Sequence, residues 1–124
     1  MENRKNLIKW IEKQEKEALK FGFYWETIDQ LLDQIASECK EVKEAWEKND
    51  IKHLQEEIGD LMQAAVSLAI FCQLDPEETL QNSIHKFQSR YEKLVECVHK
   101  DGLPNLKGQS SALLLHYWRK AKQS

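Results

Sequence analysis

The sequence has little glycine and proline, and this scarcity narrows the fold class. Four glycines and two prolines are spread over 124 residues, so few tight turns can be built. Short strands joined by frequent turns would need more of both residue types. The composition therefore favours an all-α fold made of a few long helices. We predict a single domain over residues 1–124, because this length is typical of one domain.

Cysteine is also scarce, and no two cysteines lie close together in the sequence. Cys39, Cys72 and Cys97 form no C-x-x-C pair, which argues against a disulfide framework and against a zinc site. The N-terminus lacks the apolar core of a signal peptide. The longest apolar stretch, residues 61–74, is interrupted by polar residues and is too short to span a bilayer. We therefore predict a cytoplasmic protein with no membrane partner.

An excess of positive charge is absent too. Lys and Arg number 18 against 21 Asp and Glu, for a net charge of −3. Without a broad basic surface we predict no nucleic-acid partner. A phosphorylated small molecule stays a candidate ligand, since a bound cation can reverse the local charge.

Apolar residues recur at helical spacing and predict five helices and no strand. The predicted helices cover about residues 3–20, 27–48, 52–73, 76–100 and 111–122. A capping box at Thr27, an acidic cap with proline at Asp75-Pro76 and a serine cap at residue 110 or 111 mark three of the helix starts. The short Asn49-Asp50 turn predicts an antiparallel hairpin of the second and third helices.

The apolar positions also predict which helix faces are buried. We take Trp46 as the centre of the apolar face of the second helix and Leu54 as that of the third. The nearly all-apolar second half of the third helix predicts burial on several sides. The fourth helix should direct inward Ile84, Phe87, Tyr91, Leu94 and Val98. The aromatic segment 23–25 either packs in the core, which we favour, or stacks on a nucleobase through Trp25.

Two acid-x-x-acid pairs stand out on the predicted hairpin, Glu38 with Glu41 and Glu57 with Asp60. At about 100° per residue, Glu38 and Glu41 lie about 80° and 140° around the second helix from Trp46. On the third helix, Glu57 and Asp60 lie about 60° and 120° from Leu54, in the same direction of rotation. Flanks of the same sense meet on one side of an antiparallel pair. Their distances from the turn also match, so we expect four carboxylates on one patch.

Carboxylates at close range repel one another, and a cation relieves that repulsion. Oxygen ligands suit Mg²⁺ or Mn²⁺, and Mg²⁺ held by carboxylates and water typically takes phosphate oxygens as its remaining ligands. Gly59 lies between the two acids of the second pair. A mid-helix glycine costs about 1 kcal/mol relative to alanine, so we expect another group to pack closely there.

These stretches resemble the MazG-type nucleoside triphosphate pyrophosphohydrolases, whose pattern is E-E-x-x-E on one helix and E-x-x-D on the next. Here they read Ser37-Glu38-Cys39-Lys40-Glu41 and Glu57-Ile58-Gly59-Asp60. Leu74-Asp75-Pro76-Glu77-Glu78 and Lys86-Phe87-x-x-Arg90 resemble the next helix of the family. The similarity covers about residues 25–95. Ser37 stands where the family has its first Glu, which leaves reaction rate and substrate range open.

The resemblance implies an antiparallel bundle of about four to five helices that forms a homodimer or homotetramer. It implies Mg²⁺, with Mn²⁺ as an alternative, held by Glu38, Glu41, Glu57 and Asp60. Water would attack a phosphorus atom of a nucleoside triphosphate and release the monophosphate and pyrophosphate, with a role in removing non-standard nucleotides. We assign Glu41 and Glu38 as catalytic and favour Glu41 for orienting or deprotonating the water.

One polar stripe on the fourth helix offers phosphate contacts, since its members recur every four residues. It is formed by Asn82, Lys86 and Arg90, and a solvated surface is the alternative. Two other functions stay open for the whole chain. One is a non-catalytic helical module that binds a divalent ion or a partner protein. The other is a related hydrolase with a narrower deoxynucleotide or diphosphate substrate.

Overall fold

A computed structural model describes residues 6–123, which form five α-helices and no strand. This confirms the predicted all-α class. The predicted ends of the helices agree with the observed ends to within two residues. The predicted start of the first helix, near residue 3, lies outside the described residues and is not compared. The helices are α1 (Leu7–Phe21), α2 (Ile28–Glu47), α3 (Ile51–Phe71), α4 (Pro76–Lys100) and α5 (Ser111–Gln123).

Short polar side chains begin the helices, as the sequence predicts. The Thr27 hydroxyl accepts from the Gln30 N–H at 3.2 Å while the Gln30 side chain accepts from the Thr27 N–H, which completes the capping box. The Asp75 carboxylate accepts from the Glu77 N–H at 3.0 Å at the start of α4, and Ser110 caps α5. These bonds satisfy backbone donors that have no partner within the helix.

The described chain divides into two compact units, the first ending at Thr79 and the second beginning at Leu80. In the first unit α2 packs along α3, and α1 packs on α3. The connection between α2 and α3 is only residues 48–50, with Asn49 at φ 56° and Asp50 capping α3, so the two helices are antiparallel. We call this pair the α2–α3 hairpin. Its fully buried apolar side chains are Leu31 and Ala45.

The second unit has its own small core where α4 ends and α5 lies. Val98, Tyr117 and Ala121 are buried there. The Tyr117 hydroxyl donates to Asp101 Oδ2 at 2.5 Å, and this hydrogen bond, followed by desolvation, raises the pKa of Tyr117. The Asp101 carboxylate therefore gives the buried phenol a polar partner.

Several predicted inward side chains are exposed, and those predictions are wrong for this chain. Of the five side chains predicted to face inward on α4, Leu94 is half-buried and Val98 is buried, whereas Ile84, Phe87 and Tyr91 are exposed. The aromatic segment 23–25 is exposed as well, so the favoured core packing of these rings is not found. Apolar spacing identifies a face that avoids water, but it does not say whether this chain covers that face by itself.

Among the described residues, no single helix has both the length and the apolar character needed to cross a membrane. One sharply bent pair, Ile51–Phe71 with Pro76–Lys100, satisfies those two criteria jointly on length and composition alone.

Candidate metal centre and adjoining groove

One of the buried residues on α2 is an acid. Leu31, Glu38 and Ala45 are spaced by seven residues and are the buried residues of this helix, so they form one stripe along it. On α3 the buried residue is Glu57. Because α2 and α3 pack along each other, the hairpin encloses two carboxylates between its helices.

The predicted centres of the two apolar faces are therefore wrong. Trp46 is 68% exposed and lies about 100° from Ala45 on the helix, while Leu54 is only half-buried. Glu38 and Glu57 lie in the middle of the packed face, not on its flank. The apolar side chains that shifted the predicted centre, among them Trp46 and Ile58, are exposed in this chain.

Three carboxylates converge at this point of the hairpin. Glu38, Glu41 and Glu57 each offer an oxygen atom, and these atoms lie within 4.8 Å of one another. Asp60, the fourth acid of the predicted patch, is not in that group, and its side chain lines a groove next to Glu38. The two helical pairs thus lie on one side of the hairpin, as the argument from spacing predicts, with Asp60 farther out.

The close approach of the carboxylates affects the pKa of one member of the cluster. Hydrogen bonding with Glu41 and then with Glu38, together with desolvation and their charges, raises the pKa of Glu57 from 4.5 to about 7. Glu38 Oε2 and Glu57 Oε2 are buried and have no hydrogen-bond partner among residues 6–123. Buried acceptors of this kind normally have a partner, and a proton or a cation would supply one.

The donor set fits a hard divalent cation. It consists only of carboxylate oxygens, which suit Mg²⁺ and Mn²⁺ and do not favour Zn²⁺ or copper. The two buried oxygens without a partner are free to become ligands. The cluster is therefore a candidate metal centre, and its chemical fit does not depend on any resemblance.

Two side chains next to the cluster were not predicted from the sequence. The Gln34 amide donates to Glu38 Oε1 at 2.7 Å, and His53 Nε2 lies 3.6 Å from Glu57 Oε1. Each is four residues from its acid along the helix, which is the spacing that could have indicated them. Groups of this kind orient the carboxylates that bind a metal.

A groove of about 300 Å³ adjoins the metal centre, and we call it the α2–α3 groove. Its polar and aromatic lining comprises Trp25, Gln34, Glu38, Asp60, Gln63 and Ser67. Trp25 is thus beside the cluster, where the alternative prediction of base stacking would require it. The predicted phosphate contacts Asn82, Lys86 and Arg90 lie on α4 in the second unit, where Asn82 and Lys86 are exposed and Arg90 is half-buried.

Comparison with known proteins agrees with this geometry. Residues 26–95 match the family model described as the MazG nucleotide pyrophosphohydrolase domain, and this span includes all four acids. The chain belongs to the MazG nucleotide pyrophosphohydrolase family. This match agrees with the resemblance seen in the sequence.

Named relatives extend the similarity to most of the chain. A Thermotoga maritima protein named nucleoside triphosphate pyrophosphohydrolase/pyrophosphatase MazG is 38% identical over 108 residues, which cover 87% of this chain and 41% of that protein. An Escherichia coli K12 protein named nucleoside triphosphate pyrophosphohydrolase is 31% identical over 114 residues, covering 90% and 43%. The chain therefore spans about two fifths of the length of the relatives it matches.

Proposed function

We propose that this MazG domain hydrolyses nucleoside triphosphates to a nucleoside monophosphate and pyrophosphate with the help of Mg²⁺. The observation that carries the proposal is the buried carboxylate cluster, whose oxygens lie within 4.8 Å of one another. Its ligands would be Glu38, Glu41 and Glu57, with Asp60 available from the rim of the groove. When bound, the cation supplies positive charge to the phosphates and makes water a better nucleophile.

Residues of the chain would activate the water and bind the nucleotide. Glu41 is the half-buried member of the cluster, so it can reach both the metal and a water at the surface, and we assign it to orient or deprotonate that water. Glu38 belongs to the cluster and also lines the α2–α3 groove. A nucleotide whose phosphates lie at the cluster could therefore place its base beside Trp25, whose ring offers a stacking face.

Phosphate contacts and subunit contacts complete the proposal. Lys86, Arg90 and Asn82 are proposed to contact phosphate oxygens, since their four-residue spacing keeps them on one face of α4. A homodimer or homotetramer is supported by the exposed apolar side chains of α3 and α4, including Met62, Ile84 and Phe87. Large apolar side chains that a chain leaves exposed are typical of association sites.

The cysteines bear on the cellular setting of the protein. Cys39, Cys72 and Cys97 are all free, which accords with a reducing cytoplasm, and we propose removal of non-standard nucleotides as the role. The rival hypothesis is a non-catalytic module that binds a divalent ion or a partner protein. Ser37, which replaces the first acid of the family pattern, supports that rival.

The test is pyrophosphate release from ribo-, deoxyribo- and modified nucleoside triphosphates with Mg²⁺. The intact chain is compared with Glu41→Gln and Asp60→Asn, and with Glu44→Gln as a matched control, because Glu44 is an exposed acid on the same helix. We expect release by the intact chain and by the control, and loss in the other two variants. If no triphosphate yields pyrophosphate while the fold is intact, a diphosphate substrate or a binding role replaces this proposal.

A further inference from the structure

Helix α1 lies outside the span that matches the family model, yet two of its side chains hold residues of the α2–α3 groove. The Gln63 amide donates to Gln14 Oε1 at 3.1 Å, and the Ser67 hydroxyl donates to Glu15 Oε1. Gln63 and Ser67 are one helical turn apart on α3, and both line the groove. The N-terminal helix thus controls polar groups that a bound molecule in the groove would meet.

The hydrogen bond to Glu15 fixes what Ser67 can offer. A hydroxyl has one proton to donate and two lone pairs that accept, whereas an ionised carboxylate only accepts. Ser67 gives its proton to Glu15, so the oxygen of Ser67 can act toward the groove only as an acceptor. A serine without such a partner could rotate and either donate or accept.

The Gln34 side chain is constrained in the same way from the other helix. Its NH₂ group donates to Glu38 Oε1 at 2.7 Å, and the carbonyl end could not face a carboxylate without repulsion. The carbonyl oxygen and the second N–H of Gln34 then remain for other partners. The groove is also lined by the Glu38 and Asp60 carboxylates, which only accept, so with Ser67 held as an acceptor its acceptors outnumber its donors.

Nucleobases differ in the group that such acceptors would meet. Cytosine and adenine carry an exocyclic amino group, which donates, while uracil, thymine and guanine carry a carbonyl oxygen at the corresponding position, which accepts. A keto base in this groove would leave acceptors facing an acceptor. An acceptor that faces another acceptor and finds no donor weakens binding of the base.

We propose that Glu15 is a positioning residue for substrate choice, which holds Ser67 as an acceptor so that the groove favours nucleotides of amino-bearing bases over keto bases. This proposal rests on the proposed function, because it assumes that the α2–α3 groove receives the base. Glu15 acts only through Ser67, and we give it no part in the bond-breaking step.

The experiment uses two substrate pairs, CTP against UTP and ATP against ITP, in which the exocyclic amino group becomes a carbonyl oxygen and the adjacent ring nitrogen gains a proton. We expect kcat/KM to favour the amino member of each pair on the order of tenfold in the intact chain. Glu15→Gln should bring the ratio close to one, since an amide can donate to Ser67 and free its proton for the groove. Ser67→Ala should also reduce the ratio by removing the acceptor, and Glu17→Gln, an exposed acid on the same helix, should leave it unchanged.

A binding measurement separates this proposal from the proposed function. Calorimetric titration with the non-hydrolysable α,β-methylene analogues of CTP and UTP should show the same preference, lost in Glu15→Gln. If nothing is hydrolysed but the binding preference and its loss are found, the proposed function fails and the assignment of Glu15 stands. Equal affinity for the two analogues, no binding of either, or a preference that survives Glu15→Gln in a folded variant overturns the assignment.

Discussion

The α2–α3 hairpin buries two acids on its inner face and exposes large apolar side chains on its outer face. On the inside, Glu38 and Glu57 are only 7% and 8% exposed, while on the outside Trp46 and Met62 are 68% and 67% exposed. Acids are rarely buried without a partner, and large exposed apolar side chains mark a contact surface. The hairpin therefore has two unmet requirements, a positive charge within and an apolar cover outside.

This difference in side chains indicates that the inner and outer faces of the hairpin have different functions. Neighbouring buried acids weaken a fold through desolvation and mutual repulsion, so we infer that the inner face is retained for the cation it binds and not for stability. The outer face would gain free energy from burial by about 25 cal/mol per Å² of apolar surface. If this division is correct, changes to the inner face should affect metal and catalysis, and changes to the outer face should affect association.

Replacing one of the two buried acids should give the largest effect. Glu57→Gln keeps the shape of the side chain but removes a ligand charge, so pyrophosphate release should fall by more than the roughly 10–100-fold typical of losing an outer-shell partner. The rise in melting temperature on adding Mn²⁺ or Mg²⁺ should also disappear, because a cation stabilises only the state that binds it. Glu56→Gln changes the exposed neighbouring acid and serves as the control; an equal loss in both variants would contradict a specific metal role.

A charge on the outer face should break association without touching the site. Met62→Glu would place a carboxylate in the proposed subunit contact, and an unpaired buried charge costs about 3 kcal/mol or more, roughly 100-fold in the dissociation constant. Sedimentation should show a shift toward monomer. Lys16→Glu, which adds the same group on an exposed position of α1, should leave the distribution unchanged. An intact chain that is already monomeric at micromolar concentration would remove the outer-face interpretation.

The pH dependence of stability should separate the inner face from the rest of the molecule. The pKa of Glu57 is raised from 4.5 to about 7 by its hydrogen bonds with Glu41 and Glu38, so the folded state binds more protons than the unfolded state between these values. The free energy of unfolding of the metal-free chain should therefore fall as pH rises from about 4.5 through about 7. Thermal melts in chelator should show this fall in the intact chain and a smaller one in Glu57→Gln; a stability that rises with pH more steeply in the intact chain than in Glu57→Gln would contradict it.

Local sequence signals predicted much of the fold. The capping box at Thr27, the acidic cap at Asp75 and the short turn at Asn49 depend on neighbours within a few residues, so their outcome does not depend on tertiary context. The convergence of Glu38, Glu41 and Glu57 could also be predicted, because two spacings and one turn length fix it.

The predictions failed where burial depends on partners far along the chain or outside it. Trp46 is the largest apolar side chain on its helix, yet in this chain it contacts solvent, and Glu38 occupies the packed centre instead. The hydrogen bond from Ser67 to Glu15 joins residues 52 positions apart, and no local pattern indicates such a pair. Helical spacing gives the relative directions of side chains, but only tertiary packing decides which direction is inward.

Gly59 gives the smallest test and the one that best distinguishes the chain alone from the chain in its assembly. The sequence predicts that another group packs closely against it, and this is wrong within residues 6–123, where a Cβ atom added at Gly59 would meet nothing within 4 Å. Gly59→Ala should then stabilise the helix by about 1 kcal/mol, measured as a higher midpoint of urea unfolding. Met62→Glu provides a monomeric background for the same substitution. If Gly59→Ala stabilises the monomeric background but destabilises the intact assembly, a second subunit approaches the backbone at Gly59. The glycine, although it costs stability within its own helix, would then be needed for close contact between chains.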